Sequence, residues 1–298
     1  MPPNPSRART FGLTALALIA FAANSVLCRL ALGEARIDPA SFTSVRLLSG
    51  VITLLVVTRA LRKPSALPAG GNWASAAFLA AYAISFSFAY VSLGAGTGAL
   101  ILFGMVQGTM ILSGVRSGER PRALEWAGLI LASGGLVYLV LPGLQAPAPL
   151  ASALMALAGV SWGFYSLRGR GVADPVRATA ANFVRAAPFV LAVSVMSLRR
   201  LNVTGAGVLL AVASGALASG LGYLIWYAAL RGLSATRAAT VQLAVPLLAG
   251  VGGIVLLGET LTLRLGVAGV VVLGGIGLAL TVRGLPRHDE PPRQVAEG

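Results

Sequence analysis

The sequence predicts an all-α polytopic membrane protein with ten transmembrane helices, arranged as two inverted five-helix repeats. Three observations lead to this fold class. Of the 298 residues, 56% are hydrophobic and only 11% are charged, and the mean hydropathy is +0.83, a composition that soluble domains do not show. The apolar residues fall into runs of membrane-spanning length. The second half of the chain also repeats a pattern of the first half.

Each apolar run has about the 20 residues that a membrane helix needs. The gaps between the runs are short, so helices that follow one another in the chain should be antiparallel neighbours. In chain order the runs lie near 10–32, 39–58, 74–93, 97–115, 124–141, 150–167, 178–198, 206–230, 237–257 and 265–282. The two remaining ends, 1–9 and 284–298, are rich in Pro and charged residues, and we expect them to be disordered cytoplasmic tails.

The basic residues predict the orientation in the membrane. Positive charge is enriched in cytoplasmic segments, so the side with more Arg and Lys marks the inside. With the first terminus inside, 16 basic residues fall in inner segments and 5 in outer ones. Both termini are therefore expected in the cytoplasm, and the net charge of +14 reflects topology rather than nucleic-acid binding. The chain has one Cys, Cys28, so it cannot form an internal disulfide.

Two stretches of the chain carry the same pattern. Tyr90 to Glu119 and Tyr227 to Glu259 share an opening Tyr, a Leu three residues later, an internal Gln and a closing Gly-Glu pair. The repeats therefore span about 10–141 and 150–282, with five helices each. Because five is odd, the second repeat must enter the membrane in the opposite orientation. Inverted repeats of this kind are typical of alternating-access transporters with a substrate site near the midplane.

The second repeat resembles the EamA-domain family of the drug/metabolite transporter superfamily. The residues that carry the resemblance are Leu230, Ala235, Pro246, Gly258-Glu259, Gly269 and Gly275, and a weaker EamA pattern covers the first half with Arg46 and Glu119. The resemblance extends over both repeats and implies a YddG-type exporter of aromatic and other amino acids in the inner membrane of a bacterium. One departure is Val245, where many relatives have Glu; a role of that Glu in translocation would be absent here.

Aromatic and amide side chains inside the spans are the candidate lining of a substrate cavity. Tyr82, Phe86 and Tyr90 are spaced at i, i+4 and i+8, which places them on one face of the third helix. Aromatic walls with a few polar groups suit an amino acid with an apolar side chain. The alternative is that Tyr and Trp near span ends form interfacial belts, and that amides bond between helices. The candidate substrate-binding residues are Asn24, Tyr82, Phe86, Tyr90, Gln107, Trp162, Tyr165, Tyr223, Tyr227 and Gln242.

Arg46 and Arg185 are the two basic residues well inside predicted spans. They are candidate partners for a substrate carboxylate. The alternative is that they bond to carbonyl groups at helix ends or extend to the membrane surface. Pro188 and Pro246 are the candidate hinge or packing positions, because Pro interrupts helical hydrogen bonding.

Several functional classes are disfavoured by what the spans lack. No Asp or Glu lies in the middle of a span, and the one His, His288, lies in the terminal tail. Proton relays and intramembrane enzymes need such groups, so we expect gradient-driven export without an enzymatic activity, a cofactor or a metal. The expected partners are a small-molecule substrate and the lipid bilayer, with the chain a monomer or weak homodimer. A passive channel, an exporter of other metabolites or drugs, and a non-transporting membrane subunit remain the alternatives.

Overall fold

The structure is a computed structural model that describes residues 7–60, 70–118, 122–141, 143, 146–169, 172, 174–230, 232–233 and 241–283. The tail 284–298, most of the tail 1–9 and Glu119 lie outside the described residues. The predictions made for them therefore have no structural counterpart.

The described residues are almost entirely helical. The one β feature among them is an isolated bridge between Ile37 and Val203. The first seven helices are α1 (Arg7–Gly33), α2 (Pro39–Ala60), α3 (Trp73–Ala89), α4 (Ala95–Arg116), α5 (Ala123–Val140), α6 (Pro149–Gly169) and α7 (Pro175–Met196), followed by a 3₁₀ turn at Leu198–Arg200. The last ones are α8, which runs through Gly205–Val212, Ala213–Leu221 and Gly222–Leu230, then α9 (Ala244–Leu257) and α10 (Leu263–Arg283).

Sequence patterns explain several of these boundaries. Asn72 caps α3 by accepting a hydrogen bond from the Ser75 backbone N–H, and Asp174 caps α7 through the Arg177 N–H. Gly258 ends α9 in the left-handed conformation, with φ 65°, which suits a residue without a Cβ atom. Pro246 lies in the first turn of α9, where its missing N–H is not needed, while Pro188 lies inside α7.

The middle of α8, Ala213–Leu221, is a π-helical segment. A Cβ atom on Gly215 would collide with the Arg46 carbonyl oxygen and the Ser49 hydroxyl of α2, so α8 lies directly against α2 here. π-Helical segments widen a helix locally and often occur at functional sites. This one turns Ser214 and Ser219 towards the interior, where both are buried.

Three helix pairs join equivalent helices of the two halves, and all three are antiparallel. Near one end of the α2–α7 pair, the Ser44 and Ser194 hydroxyl oxygens are 2.7 Å apart, and further along α2 a Cβ atom on Gly50 would lie 2.8 Å from the Phe183 ring. In the α4–α9 pair, Gly94 faces Glu259 and Gly96 faces Gly250. In the α5–α10 pair, Gly128 faces Gly275 and Gly135 faces Val272.

The other main contacts also come in matching sets. Each of these contacts joins the two halves: α3–α6 corresponds to α8–α1, α4–α6 corresponds to α9–α1, and α3–α7 corresponds to α8–α2. The two halves therefore pack with an approximate two-fold relation that exchanges helix n with helix n + 5. This relation places α1, α2, α3, α6, α7 and α8 around the centre of the bundle.

Seven of the described helices are long and apolar enough to cross a membrane: α1, α2, α4, α5, α6, α7 and α8. Three shorter apolar helices, α3, α9 and α10, accompany them. Large apolar side chains cover the outward faces, for example Leu209 at 72% and Val270 at 75% exposure, while polar groups are buried inside. This distribution is the one expected when lipid replaces water as the surrounding solvent. The chain is a multi-pass membrane protein.

Candidate substrate site

A cluster of aromatic rings fills the centre of the bundle. Tyr82 of α3 contacts the Trp162 ring of α6 at a centroid distance of 4.9 Å and the Phe86 ring at 5.3 Å. Trp162 in turn contacts Tyr223 of α8 at 5.1 Å. Phe21 of α1 packs edge-on against Tyr223 at 6.0 Å. We call these five residues the ring cluster; both halves of the chain contribute to it.

Arg46 of α2 lies beside the ring cluster and is 4% exposed. Its Nη2 donates to the Tyr82 hydroxyl at 3.1 Å and its Nε donates to Ser219 Oγ at 3.3 Å. Its guanidinium carbon is 4.9 Å from the centre of the Phe86 ring, a cation–π contact. Its Nη1 is buried and has no hydrogen-bond partner among the described residues.

A buried guanidinium of this kind is unusual because charges in a low-dielectric interior are normally paired with an acid. Neither of the two ion pairs found in the described part of the chain involves Arg46. The free donor at Nη1 therefore marks a place where an anionic or polar ligand atom would be stabilised.

A polar chain extends from Arg46 to α1. The Asn24 amide nitrogen donates to the Tyr82 hydroxyl at 3.5 Å, and the Asn24 amide oxygen accepts from the Ser214 hydroxyl at 2.6 Å. These contacts join α1 and α3 of the first half to the π-helical segment of α8. The side chains that form these hydrogen bonds are buried, so the packing of the two halves fixes their geometry.

The site is closed in this structure. Two small voids border it: one of about 20 Å³ among Asn24, Phe86, Trp162 and other ring-cluster residues, and one of about 10 Å³ beside Arg46. Voids of this size hold a single water molecule at most. A ligand the size of an amino acid would therefore need the surrounding rings to separate.

Polar contacts close the bundle at the end that holds Arg29 and Glu259, which we call the Arg29 end. Arg29 Nε donates to the Glu259 carboxylate at 3.2 Å, and Arg29 Nη1 donates to the Val91 carbonyl at 3.0 Å. The same carboxylate accepts the Ala95 backbone N–H at 2.9 Å, so it caps the start of α4. A Cβ atom at Gly253 would collide with the carboxylate, so glycine makes room for it there.

Polar contacts also close the opposite end, which we call the Arg168 end. Arg168 Nε donates to the Ser75 hydroxyl at 3.2 Å, and the Asn182 amide oxygen accepts the Asn72 backbone N–H at 3.0 Å. Arg185 Nη1 donates to the Gly70 carbonyl at 3.0 Å. Each of these contacts joins the second half to the start of α3 or the turn before it.

The predicted site residues divide into two groups. Asn24, Tyr82, Phe86, Trp162 and Tyr223 meet around Arg46, and two further tyrosines extend this group: Tyr90 packs on Phe86 at 4.7 Å, and Tyr165 lies 5.5 Å from Trp162. Of the remaining candidates, Tyr227 lies near Tyr165 and Tyr223, whereas Gln107, Gln242 and Arg185 have other surroundings.

The second group has its own surroundings. Gln107 is buried and lines a separate cavity of about 930 Å³ between α4, α5, α6 and α10. Tyr227 and Gln242 are half-buried, Tyr227 close to Gly169 and Gln242 just before α9. Arg185 bonds to a loop carbonyl, the arrangement named above as the alternative to substrate binding.

The sequence pattern missed several residues of the site. Phe21 belongs to the ring cluster, Phe183 packs against it, and Ser214 and Ser219 take part in its hydrogen bonds. The two serines occur in a small-residue stretch that predicts close packing, and nothing local marks them as functional. Their role depends on the π-helical geometry of α8, which the sequence did not reveal.

A buried polar and aromatic centre, shared by two related halves of a multi-pass helical bundle, defines a membrane transport protein. The EamA-like transporter family model matches residues 10–141 and again residues 149–281, so the chain belongs to this family. The family's members are transporters rather than enzymes, and the family indicates a transporter of small molecules.

Two further similarities agree with this assignment. The chain is 52% identical over 276 residues to the uncharacterized protein PA1977 of Pseudomonas aeruginosa, covering 92% of this chain and 96% of that protein. A solved crystal structure of a protein matches with a TM-score of 0.64 at 20% identity, covering 91% of this chain and 99% of the other, which shows a shared fold.

Proposed function

We propose that this protein is a bacterial inner-membrane transporter that exports amino acids or similar small metabolites by alternating access. The observation that carries the proposal is the composition of the central site: its rings and hydrogen bonds come from both halves, as in Tyr82 with Trp162 and Asn24 with Ser214. A site built this way changes its exposure whenever the two halves move relative to each other.

The proposed architecture is ten spans in two inverted repeats, 10–141 and 150–282. The three antiparallel pairs of equivalent helices support it, because a two-fold axis in the membrane plane reverses every helix that it relates. The charge distribution supports an orientation with both termini and the Arg168 end in the cytoplasm and the Arg29 end outside. The working partners are the substrate and the bilayer, with the chain as a monomer or weak homodimer.

The closed centre favours a transporter over a passive channel. A pore needs a continuous water-filled path, whereas the ring cluster leaves voids of about 20 and 10 Å³ in this structure. Polar contacts close both ends of the bundle as well. The arrangement corresponds to an occluded state between the inward-open and outward-open forms of the cycle.

Counterflow in proteoliposomes tests the proposal. Vesicles containing the purified protein are loaded with unlabelled phenylalanine, and the entry of labelled phenylalanine is followed. We expect saturable entry that accelerates with internal substrate, which a pore does not show. Trp162→Ala should abolish counterflow, whereas Trp126→Ala, a change on the exposed face of α5, should retain it. Linear, non-saturable entry would rule out alternating access.

A further inference from the structure

We propose that Arg46 binds the carboxylate of the substrate, and that the site selects for this carboxylate and not for an amino group. The preferred substrates are then small organic monocarboxylates with a planar or apolar body, whether or not they carry an amino group. The inference rests on the proposed function, because it concerns the specificity of the same central site.

The first step is that Arg46 lacks an acidic partner. The described acids occupy helix ends and loops: Glu34, Asp38, Glu125, Asp174 and Glu259. Of the remaining four acids in the sequence, Glu119 follows the end of α4 and the others lie in the tail 284–298. The sequence therefore places no carboxylate at the depth of Arg46, and a bound anion is the group that would balance its charge.

The second step is that one donor of Arg46 remains available beside a void. Nε and Nη2 of Arg46 are engaged by Ser219 and Tyr82, which leaves Nη1 without a partner among the described residues. Arg46, Ser219 and Tyr82 together line the smaller void. A carboxylate oxygen entering there gains a charge-assisted hydrogen bond without displacing either existing bond.

The third step places the body of the ligand. Tyr82 and Tyr223 border both voids, so the space beside Arg46 adjoins the space inside the ring cluster. A ligand whose carboxylate meets Arg46 would extend its body between Phe86, Trp162 and Tyr223. Flat aromatic or apolar groups replace ring–ring contacts there at little cost, whereas an inorganic anion would leave the separated rings without contacts.

The fourth step concerns the amino group. The α-ammonium of an amino acid lies next to its carboxylate, so it would face the guanidinium of Arg46. The side-chain oxygens that line the voids are neutral, and two of them are already engaged: Asn24 Oδ1 accepts from Ser214, and Ser219 Oγ accepts from Arg46. An ammonium therefore finds a like charge and no acidic partner, and contributes nothing to binding.

Three matched probes test this selectivity. Their binding to the purified protein in detergent is measured by quenching of tryptophan fluorescence and by calorimetry. Phenylalanine carries both groups, 3-phenylpropanoate carries only the carboxylate, and phenylalaninamide carries only the ammonium. We expect 3-phenylpropanoate to bind at least as tightly as phenylalanine, and phenylalaninamide to bind at least about tenfold more weakly. Sodium chloride at the same concentration should not displace 3-phenylpropanoate.

Arg46→Gln should weaken 3-phenylpropanoate binding by at least about tenfold. Arg59→Gln is the matched control, because Arg59 is exposed in the last turn of the same helix, α2, and the affinity of that variant should stay within about twofold. Thermal unfolding of each variant checks folding. If Arg46→Gln does not fold, the comparison of the three probes on the natural protein still tests whether the site selects for the carboxylate.

Equal binding of phenylalaninamide and 3-phenylpropanoate would overturn the proposal, as would unchanged affinity in folded Arg46→Gln. Displacement of 3-phenylpropanoate by sodium chloride would overturn the proposal that the bound anion has an organic body. Because binding is measured without vesicles, the two proposals fail separately. Carboxylate-selective binding with no counterflow would refute transport alone, and saturable counterflow of the amide would refute the carboxylate site alone.

Discussion

At the scale of single residues, the hydroxyl of Tyr82 joins the two polar parts of the site. It accepts from Arg46 Nη2 at 3.1 Å and from Asn24 Nδ2 at 3.5 Å. The i, i+4 spacing of Tyr82 and Phe86 was enough to predict that they share a face. Ser214 and Ser219, the partners of Asn24 and Arg46, could not be predicted in the same way, because they come from a distant segment with π-helical geometry.

Tyr82→Phe removes this hydroxyl while keeping the ring. Two buried donors then lose an acceptor, and we expect the free energy of unfolding to fall by about 1–3 kcal/mol. Substrate affinity should also fall, because Arg46 loses the group that orients it. Thermal unfolding in detergent and the fluorescence assay measure the two effects.

Tyr138→Phe is the control for this change, since Tyr138 is 40% exposed on α5. It should alter neither stability nor affinity. Tyr82→Phe with natural stability and affinity would show that the hydroxyl does not organise Arg46.

At the scale of helices, small residues decide which elements touch. Gly128 and Gly275 face each other between α5 and α10, and a Cβ atom on Gly275 would lie 2.6 Å from the Gly128 carbonyl oxygen. The sequence contains 37 Gly, and small residues of this kind allow helices to approach closely. It did not reveal which glycines meet, because that depends on the relation between the two halves.

Gly128→Ala should separate α5 from α10. Its Cβ atom would collide with the Gly275 carbonyl, and we expect a loss of about 1–3 kcal/mol in stability, the usual cost of overpacking. Gly134→Ala on the same helix meets nothing within 4 Å and should leave stability nearly unchanged. Comparison of the two thermal unfolding midpoints is the measurement; equal midpoints would contradict the close approach.

At the scale of the whole molecule, the sequence predicted the helical membrane class and the EamA family, and both are confirmed. The ten-span count, the inner-membrane orientation and the amino-acid substrate stay predictions. The described helices agree with the predicted runs except at some ends, as where α3 stops at Ala89 although the run continued to 93. Composition locates spans well, but caps and turns set where helices end.

The contacts that close both ends of the bundle also could not be predicted from the sequence. Glu259 could be recognised as a helix-end residue from its place after an apolar run. Its bonds to Arg29 and Ala95 join positions far apart in the chain, so only the packing of the two halves brings them together.

Alternating access requires the two halves to move apart at one end while they close at the other. α2 and α7 meet at the Arg29 end, where the hydroxyl oxygens of Ser44 and Ser194 are 2.7 Å apart. Cysteines at both positions could form a disulfide, whose sulfur atoms are about 2.05 Å apart, with little backbone movement. In the double variant Ser44→Cys/Ser194→Cys, oxidation should therefore stop counterflow, because α2 and α7 can no longer separate, and dithiothreitol should restore it.

Each single variant is the control and should transport both before and after the same oxidation. Cys28 is present in every variant and is buried, so it does not account for a difference between them. Undiminished counterflow through the fully cross-linked protein would mean that the path opens without separation of these helices, and would refute the movement proposed for the cycle.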